Sequence, residues 1–183
     1  MNVLASQGYH LALVFITNRT MHIRPFHPGD ELALFAVYYS AIHQLASKNY
    51  TPEQIQAWAP IDLDQDLWTK RMQDIQPFVV ESAGEIVAYA DVQSSGYIDH
   101  FFVAGAHARR GIGSSLMNHL QSVARTQAIA TLTADVSRTA QPFFEKHGFV
   151  IVEQRLPVVR GVVIPNALMR KALTPSTRHD ARK

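Results

Sequence analysis

A glycine turn flanked by arginines constrains the fold of this chain more than any other feature. The run from His107 to Leu116 reads HARRGIGSSL, and its arginines lead directly into Gly111 and Gly113. Apolar residues then recur at helical spacing, at Ile112, Leu116, Leu120 and Val123. This spacing predicts a helix that begins at the glycines, with its free N–H groups and positive dipole end facing an anion.

A β-rich run, YIDHFFV at residues 97–103, precedes the turn. The order strand, loop, glycine turn and helix is typical of a phosphate site. A dinucleotide-binding turn would need a third glycine where Leu116 stands, and a P-loop would need Gly-x-x-x-x-Gly-Lys, which the chain lacks. Neither of these two sites is therefore expected, and a nucleotide-phosphate site of another kind stays open.

Composition limits the chain to one domain with a local anion site. Its 183 residues, 47% of them hydrophobic, suffice for one well-packed core. The 17 lysines and arginines against 15 acidic residues leave a net charge of +2. That balance does not favour a general nucleic-acid or membrane-surface binder, so neither partner is expected.

The chain contains no cysteine. Disulfides, thiolate metal ligands and a cysteine nucleophile are therefore excluded, and a reducing cytoplasmic location is expected. The apolar run at residues 10–16 is too short to span a bilayer and does not resemble a signal peptide. We expect residues 1–20 to form an N-terminal extension, residues 21–172 the domain, and residues 173–183 a polar tail.

The first half of the domain predicts a strand followed by helices. The strand covers residues 22–26, and Asp30 caps a helix whose apolar stripe is Leu32, Phe35, Tyr39, Ile42 and Ala46. Thr51 and Pro52 begin a second helix that ends near Trp58. A further helical piece is predicted around residues 67–72.

The second half alternates strands and helices. The predicted strands are 78–81, 86–92, 97–103, 131–136, 150–156 and 162–169, and the predicted helices are 111–127 and 139–147. The first two strands form a hairpin, and Gly148 ends the last helix. The order predicts a mixed α/β domain.

The glycine turn, the helix behind it and the segment from Ala140 to Phe149 together resemble the GNAT N-acetyltransferase superfamily, over residues 21–172. The resemblance implies a single α/β (α+β) domain with a mixed, mostly antiparallel central sheet flanked by helices. It also implies an acetyl-CoA-dependent N-acetyltransferase that moves the acetyl group directly to an amine. Acetyl-CoA is then the cosubstrate, and no metal is expected.

In that family the glycine loop binds the coenzyme A pyrophosphate through backbone amides, and the strand before it pairs with the pantetheine arm. Carried over to this sequence, the strand positions are Phe101, Phe102 and Val103. The loop positions are Ala108, Arg109, Arg110, Gly111, Ile112, Gly113 and Ser114. Glycine is needed where backbone must approach phosphate oxygens.

Two positions depart from the family pattern. Ala108 stands where Gln or Arg is usual, so only a backbone donor remains there. Phe144 stands where many members have a tyrosine thought to protonate the departing thiolate, and phenylalanine has no proton to give. Tyr97, His100 and His147 are candidate substitutes for that acid. Because a thiol with a pKa near 8.5 is already a fair leaving group, catalysis can survive without an acid.

An amine acceptor must lose a proton, which requires a carboxylate or imidazole near the strand at 97–103. Asp99 is the first candidate base and His100 the second, while Glu81 and Asp91 on the preceding strands are further candidates. Each of these residues has an alternative interpretation as an ordinary solvated strand residue.

The resemblance places the acceptor pocket against the first two helices. The candidate pocket residues are Tyr38, His43, Tyr50 and Glu81, with Trp58, Arg160 and Asn166 as further possibilities. The acceptor, a small molecule or a protein, has no motif in the sequence, and a homodimer stays open. Because of Phe144, the alternative function is an acyl-CoA-binding regulatory module with little or no turnover.

Overall fold

The structure is a computed structural model that describes residues 21–173. The predicted extension at residues 1–20 and the tail beyond Leu173 lie outside the described residues. The helices are α1 (Glu31–Leu45), α2 (Pro52–Trp58), α3 (Gln65–Ile75), α4 (Ile112–Thr126) and α5 (Gln141–Lys146). The strands are β1 (Met21–Pro25), β2 (Phe78–Ser82), β3 (Glu85–Ala90), β4 (Tyr97–Ile98), β5 (Phe101–Val103), β6 (Thr131–Ser137), β7 (Val150–Arg155), β8 (Val158–Val159), β9 (Val162–Val163) and β10 (Asn166–Ala172).

Two four-stranded sheets meet where β4 continues into β5. One sheet has the order β1-β2-β3-β5 and the other has the order β4-β6-β10-β7. The β4–β6 ladder is parallel, and the other ladders of both sheets are antiparallel. The predicted mixed, mostly antiparallel arrangement is therefore present, divided into two sheets.

Hydrophobic cores lie on both faces of the sheets. Helices α4 and α5 cover one face, with Leu116, Met117 and Leu120 fully buried. Helices α1 to α3 cover the other face, where Trp68 and Met72 of α3 pack with residues of α1 and β3. Helix α4, which follows the glycine turn, and helices α1 and α2, which carry candidate pocket residues, therefore cover opposite faces of the sheets.

The local signals place most elements correctly. Thr51 and Gln54 form a capping box at α2, with hydrogen bonds of 3.2 and 3.0 Å. Gly148 follows α5 with φ of +82°. Arg160 and Gly161, with φ of +50° and +80°, form the turn of the β8–β9 hairpin. The prediction from the sequence missed β8 and treated β9 and β10 as one strand, 162–169.

The predicted stripe on α1 is wrong at its start. Leu32 is 72% exposed, whereas Leu34, Val37, Tyr38, Ala41 and Ile42 form the buried face. The two sets have equally good helical spacing because α1 is apolar on nearly every side. Only the position of the sheet beneath the helix decides which set is buried.

Candidate active site

The two sheets separate after β4, which leaves a cleft between them. β4 and β6 pair in parallel at Tyr97–Thr133 and Ile98–Ala134. Beyond that point β5 pairs with β3, and β6 continues in the other sheet. The cleft therefore lies between β5 and the carboxyl-terminal half of β6.

A bulge between β4 and β5 sets the direction of β5, and the buried Asp91 carboxylate holds it. Asp91 Oδ1 accepts hydrogen bonds from the backbone N–H groups of Asp99 (3.0 Å) and His100 (2.6 Å). Asp91 itself is fully buried. Two consecutive N–H groups that point to one side interrupt the ladder, as in a β-bulge. Asp91, a candidate base, thus has a positioning role in the structure.

The bulge leaves a row of backbone groups along the cleft. Asp91 N donates to His100 O (3.1 Å), and Ala104 N donates to Val87 O (2.9 Å), so the even-numbered residues of this strand bond to β3. Because backbone groups alternate along a strand, those of Phe101 and Val103 point to the opposite edge, which borders the cleft. Of the three predicted strand positions, these two can pair with a ligand.

The titration of Asp91 gives a pH-dependent prediction. Burial raises the pKa of Asp91 from 3.8 to about 6. The folded protein therefore binds this proton more tightly than the unfolded chain does. The resulting contribution to the free energy of unfolding is fully present below pH 3.8 and is lost as the pH rises through about 6. Asp91→Asn does not ionise, so we expect its free energy of unfolding, relative to that of the parent, to rise by about 2 kcal/mol between pH 4 and pH 7. Urea unfolding at both pH values checks this, and a constant difference would contradict it.

The glycine turn leaves free backbone N–H groups at the start of α4. Arg109 and Gly111 both have positive φ, +61° and +82°. The bond from Ser115 N to Gly111 O (3.0 Å) is the first α-helical bond. The N–H groups of the first turn, from Gly111 to Ser114, therefore have no acceptor within the helix. These groups and the helix dipole suit a phosphate.

Other parts of the loop are already occupied or tightly packed. Ala108 N donates to Gly105 O (3.3 Å), so the backbone donor expected there is used. A Cβ on Gly113 would lie 3.3 Å from the Phe143 ring, which makes glycine the natural residue at this contact. Ser114 Oγ and His147 Nε2 share a hydrogen bond of 3.1 Å. His147 thus lies beside the loop. Its pKa is lowered mainly by burial and, to a smaller extent, by the positive charges of Lys171 and Lys146.

Phe144 is part of an aromatic cluster under the cleft. It is 3% exposed, and its ring centroid lies 5.6 Å from Phe101, 5.8 Å from Phe143 and 5.0 Å from Phe149. A hydroxyl added to this ring would enter apolar surroundings.

We expect Phe144→Tyr to lower the free energy of unfolding by about 1–3 kcal/mol, because the hydroxyl is buried beside apolar rings. The change in kcat should stay within about threefold, because a thiol with a pKa near 8.5 is already a fair leaving group. Urea unfolding and steady-state kinetics measure the two effects. A rise in kcat of tenfold or more would show that a missing proton donor limits the reaction.

The candidate bases Asp99 and His100 face α1 and α3. Asp99 forms an ion pair with Arg71 of α3. His100 shares a hydrogen bond of 2.9 Å between its Nδ1 and the Tyr89 hydroxyl, and it lies among aromatic rings. Burial lowers the pKa of His100 to about 4 in spite of the neighbouring Asp99, so the imidazole is neutral at pH 7.

Asp135 is a carboxylate that the sequence reasoning missed. The Tyr97 hydroxyl donates to Asp135 Oδ2 (3.1 Å), and Arg155 Nη1 donates to Asp135 Oδ1 (2.9 Å). Burial and this carboxylate raise the pKa of Tyr97. Asp135 lies two residues before Ser137 on the same face of β6. The alternation of apolar and polar residues along β6 could have indicated that Asp135 lies on the exposed face of this strand.

A cavity of about 100 Å³ lies beside the end of β6. It is lined by Tyr50, Trp58, Ser137, Pro157, Val159, Ile164 and Asn166. Of the predicted pocket residues Tyr50 is present, together with the further candidates Trp58 and Asn166. Asp99 and His100 do not line it.

The remaining predicted pocket residues have other contacts. Tyr38 is buried and donates its hydroxyl to Trp58 O (2.7 Å). His43 Nε2 lies 2.8 Å from Ala59 O. Glu81 accepts hydrogen bonds from Arg24 of β1, at 2.8 and 2.6 Å, and β3 separates its strand from β5. The geometry therefore does not bring these three side chains together at the cavity.

Comparison with known proteins decides the family. A family model for an acetyltransferase (GNAT) domain matches residues 46–171. The chain belongs to the GNAT acetyltransferase family. The uncharacterized N-acetyltransferase YafP of Escherichia coli K12 is 35% identical over 150 residues, which cover 82% of this chain and 95% of that protein. The predicted resemblance and the N-acetyltransferase class are confirmed.

Solved structures confirm the fold class of this acetyltransferase. A GCN5-related N-acetyltransferase from Rhodopseudomonas palustris matches with a TM-score of 0.80 at 28% identity, covering 84% of this chain and 96% of that one. YncA, a putative acetyltransferase from Salmonella typhimurium solved with acetyl-CoA, matches with a TM-score of 0.62 at 20% identity, covering 89% and 99%. The second match shows the fold alone. No helix within residues 21–173 is long and apolar enough to cross a membrane.

Proposed function

We propose that this protein transfers an acetyl group from acetyl-CoA directly to an amine bound in the same complex. The observation that carries the proposal is the cleft, which has an anion cradle at α4 and a row of backbone groups at Phe101 and Val103. The residues fit the cofactor because the space beside Gly111 is open, and a Cβ added there would meet no atom within 4 Å. Phosphate oxygens can therefore approach the backbone at this glycine.

The first-turn N–H groups of α4 would hold the pyrophosphate, and Phe101 and Val103 would pair with the pantetheine amides. A backbone N–H on this strand would polarise the thioester carbonyl. The amine nitrogen then attacks the carbonyl carbon, a C–N bond forms, and the C–S bond breaks. The sulfur leaves as the coenzyme A thiolate, and the amine proton passes to a base.

Two carboxylates are candidates for the base, and their variants discriminate between them. We propose Asp99, with His100 beside it, as the general base. Asp135, on the face of β6 that borders the cavity, is the second candidate. The amide variant of the true base, Asp99→Asn or Asp135→Asn, should lower kcat/KM by about 100-fold at pH 8. Glu81→Gln is the control and should change it less than threefold, because its partner is Arg24. Equal activity of both Asn variants and the parent would exclude both carboxylates.

Transfer itself is tested by mixing the protein with acetyl-CoA and a panel of amines and following free thiol. Calorimetry measures coenzyme A binding separately, with ADP as the competitor that represents a general nucleotide-phosphate site. Absence of coenzyme A binding would overturn the proposal. Binding without transfer to any amine would favour the alternative that Phe144 suggests, a regulatory module that holds acyl-CoA.

A further inference from the structure

The cavity beside β6 has a polar end and an apolar end. Ser137 and Asn166 are paired neighbours in the β6–β10 ladder and supply polar side chains. Residues of the β8–β9 hairpin and its flanks form the apolar wall, at Pro157, Val159 and Ile164. The seven lining residues include no charged side chain. A ligand in this cavity would therefore meet two chemically different ends.

The polar end contains an oxygen that lacks a donor. Asn166 Oδ1 is buried and has no hydrogen-bond partner in the part of the chain that the structure describes. The hydroxyl of the neighbouring Tyr50 does not fill this role, because it donates to Pro165 O (2.6 Å) and accepts from Arg138 N (2.9 Å). A buried acceptor without a donor is costly. Asn166 lines the cavity, so a small rotation of its side chain would bring Oδ1 within reach of a ligand N–H, which would satisfy it.

The polar end also lies nearest the cleft. Ser137 is the last residue of β6, the strand that forms one wall of the cleft. A bound amine with its nitrogen beside Asn166 would thus present that nitrogen toward the cleft.

We propose that this cavity, if the acetyl transfer proposed above is correct, selects a small primary amine with an uncharged aliphatic body. Its volume of about 100 Å³ is smaller than the roughly 150 Å³ cavity that holds benzene in an engineered protein. The part of the acceptor inside the cavity is therefore limited to a small alkyl group. A second charged group on the acceptor would lose its water and find no partner among the lining side chains.

The proposal is tested with three acceptors of similar length: 3-methylbutylamine, 1,4-diaminobutane and 4-aminobutanoate. We expect kcat/KM for 3-methylbutylamine to exceed the other two by about tenfold or more, from the cost of burying a second charge. If coenzyme A binds and a doubly charged acceptor is preferred, this inference is wrong while the proposed function stands. If no amine is acetylated, the proposed function fails and this inference fails with it.

A specificity switch provides a second readout that does not depend on loss of activity. Val159→Asp places a carboxylate in the apolar wall and should shift the preference toward 1,4-diaminobutane by about tenfold. Val158→Asp is the matched control, because Val158 is 64% exposed and is absent from the cavity lining. Circular dichroism confirms that both variants are folded. An equal shift in both variants, or no shift in Val159→Asp, would overturn the proposal.

Discussion

Replacing Asp91 with leucine is expected to cost about 2–6 kcal/mol of unfolding free energy relative to replacing it with asparagine. Asparagine keeps an oxygen that accepts from the N–H groups of Asp99 and His100, whereas leucine leaves both of these buried groups without an acceptor. Each unpaired buried group costs about 1–3 kcal/mol. Urea unfolding of the two variants at pH 7.5 measures the difference.

The same pair of variants tests whether the bulge positions the reaction. If the bulge relaxes, the backbone groups of Phe101 and Val103 move relative to the glycine loop. A displacement of about 1 Å in an active site can reduce the rate by about 100-fold, so we expect that loss in kcat for Asp91→Leu and near-parental kcat for Asp91→Asn. A folded Asp91→Leu with parental kcat would show that the bulge does not orient β5. Equal stability of the two variants would contradict the role of the two hydrogen bonds.

Gly111→Ala is expected to weaken coenzyme A binding by about tenfold or more. Gly111 has φ of +82°, and an added Cβ would stand beside the free N–H groups of α4, where the phosphate must approach. The strained backbone should also cost about 1–2 kcal/mol of unfolding free energy. Calorimetry with coenzyme A and urea unfolding measure the two effects.

Gly84→Ala separates the two effects. Gly84 has φ of +81°, and, as at Gly111, a Cβ there meets nothing within 4 Å. It lies in the β2–β3 turn, outside the glycine loop. Both variants should lose similar stability, and only Gly111→Ala should lose affinity. If the two variants bind coenzyme A equally well, the loop is not the phosphate site.

Features that depend on a few consecutive residues were predictable. The glycine turn, the Thr51 cap of α2 and the end of α5 at Gly148 each follow from local backbone preference. The family resemblance depends on the same kind of short pattern. These signals predicted the cofactor loop and the order of most elements.

The acceptor side was less predictable because it depends on which face of each element is covered. Tyr38 and Tyr39 are adjacent on an apolar helix, and the sequence favoured Tyr39 as the core residue. The structure buries Tyr38 against Phe102 and Trp68, with ring centroids 5.0 and 5.1 Å away. Asp135 and the cavity residues come from distant parts of the chain, so no spacing indicates that they meet.

The sequence alone therefore determined the family and the α/β class and predicted a pyrophosphate loop, since these depend on local conformation and short spacing. Tertiary structure alone decided that Asp91 accepts two N–H groups at the bulge and that Asn166 and Ser137 border a cavity with Val159. The physical reason is that hydrogen bonds and burial between remote segments exist only after the two sheets meet. The loop accordingly predicts the cofactor, and the acceptor that we propose depends on the packing around the cleft.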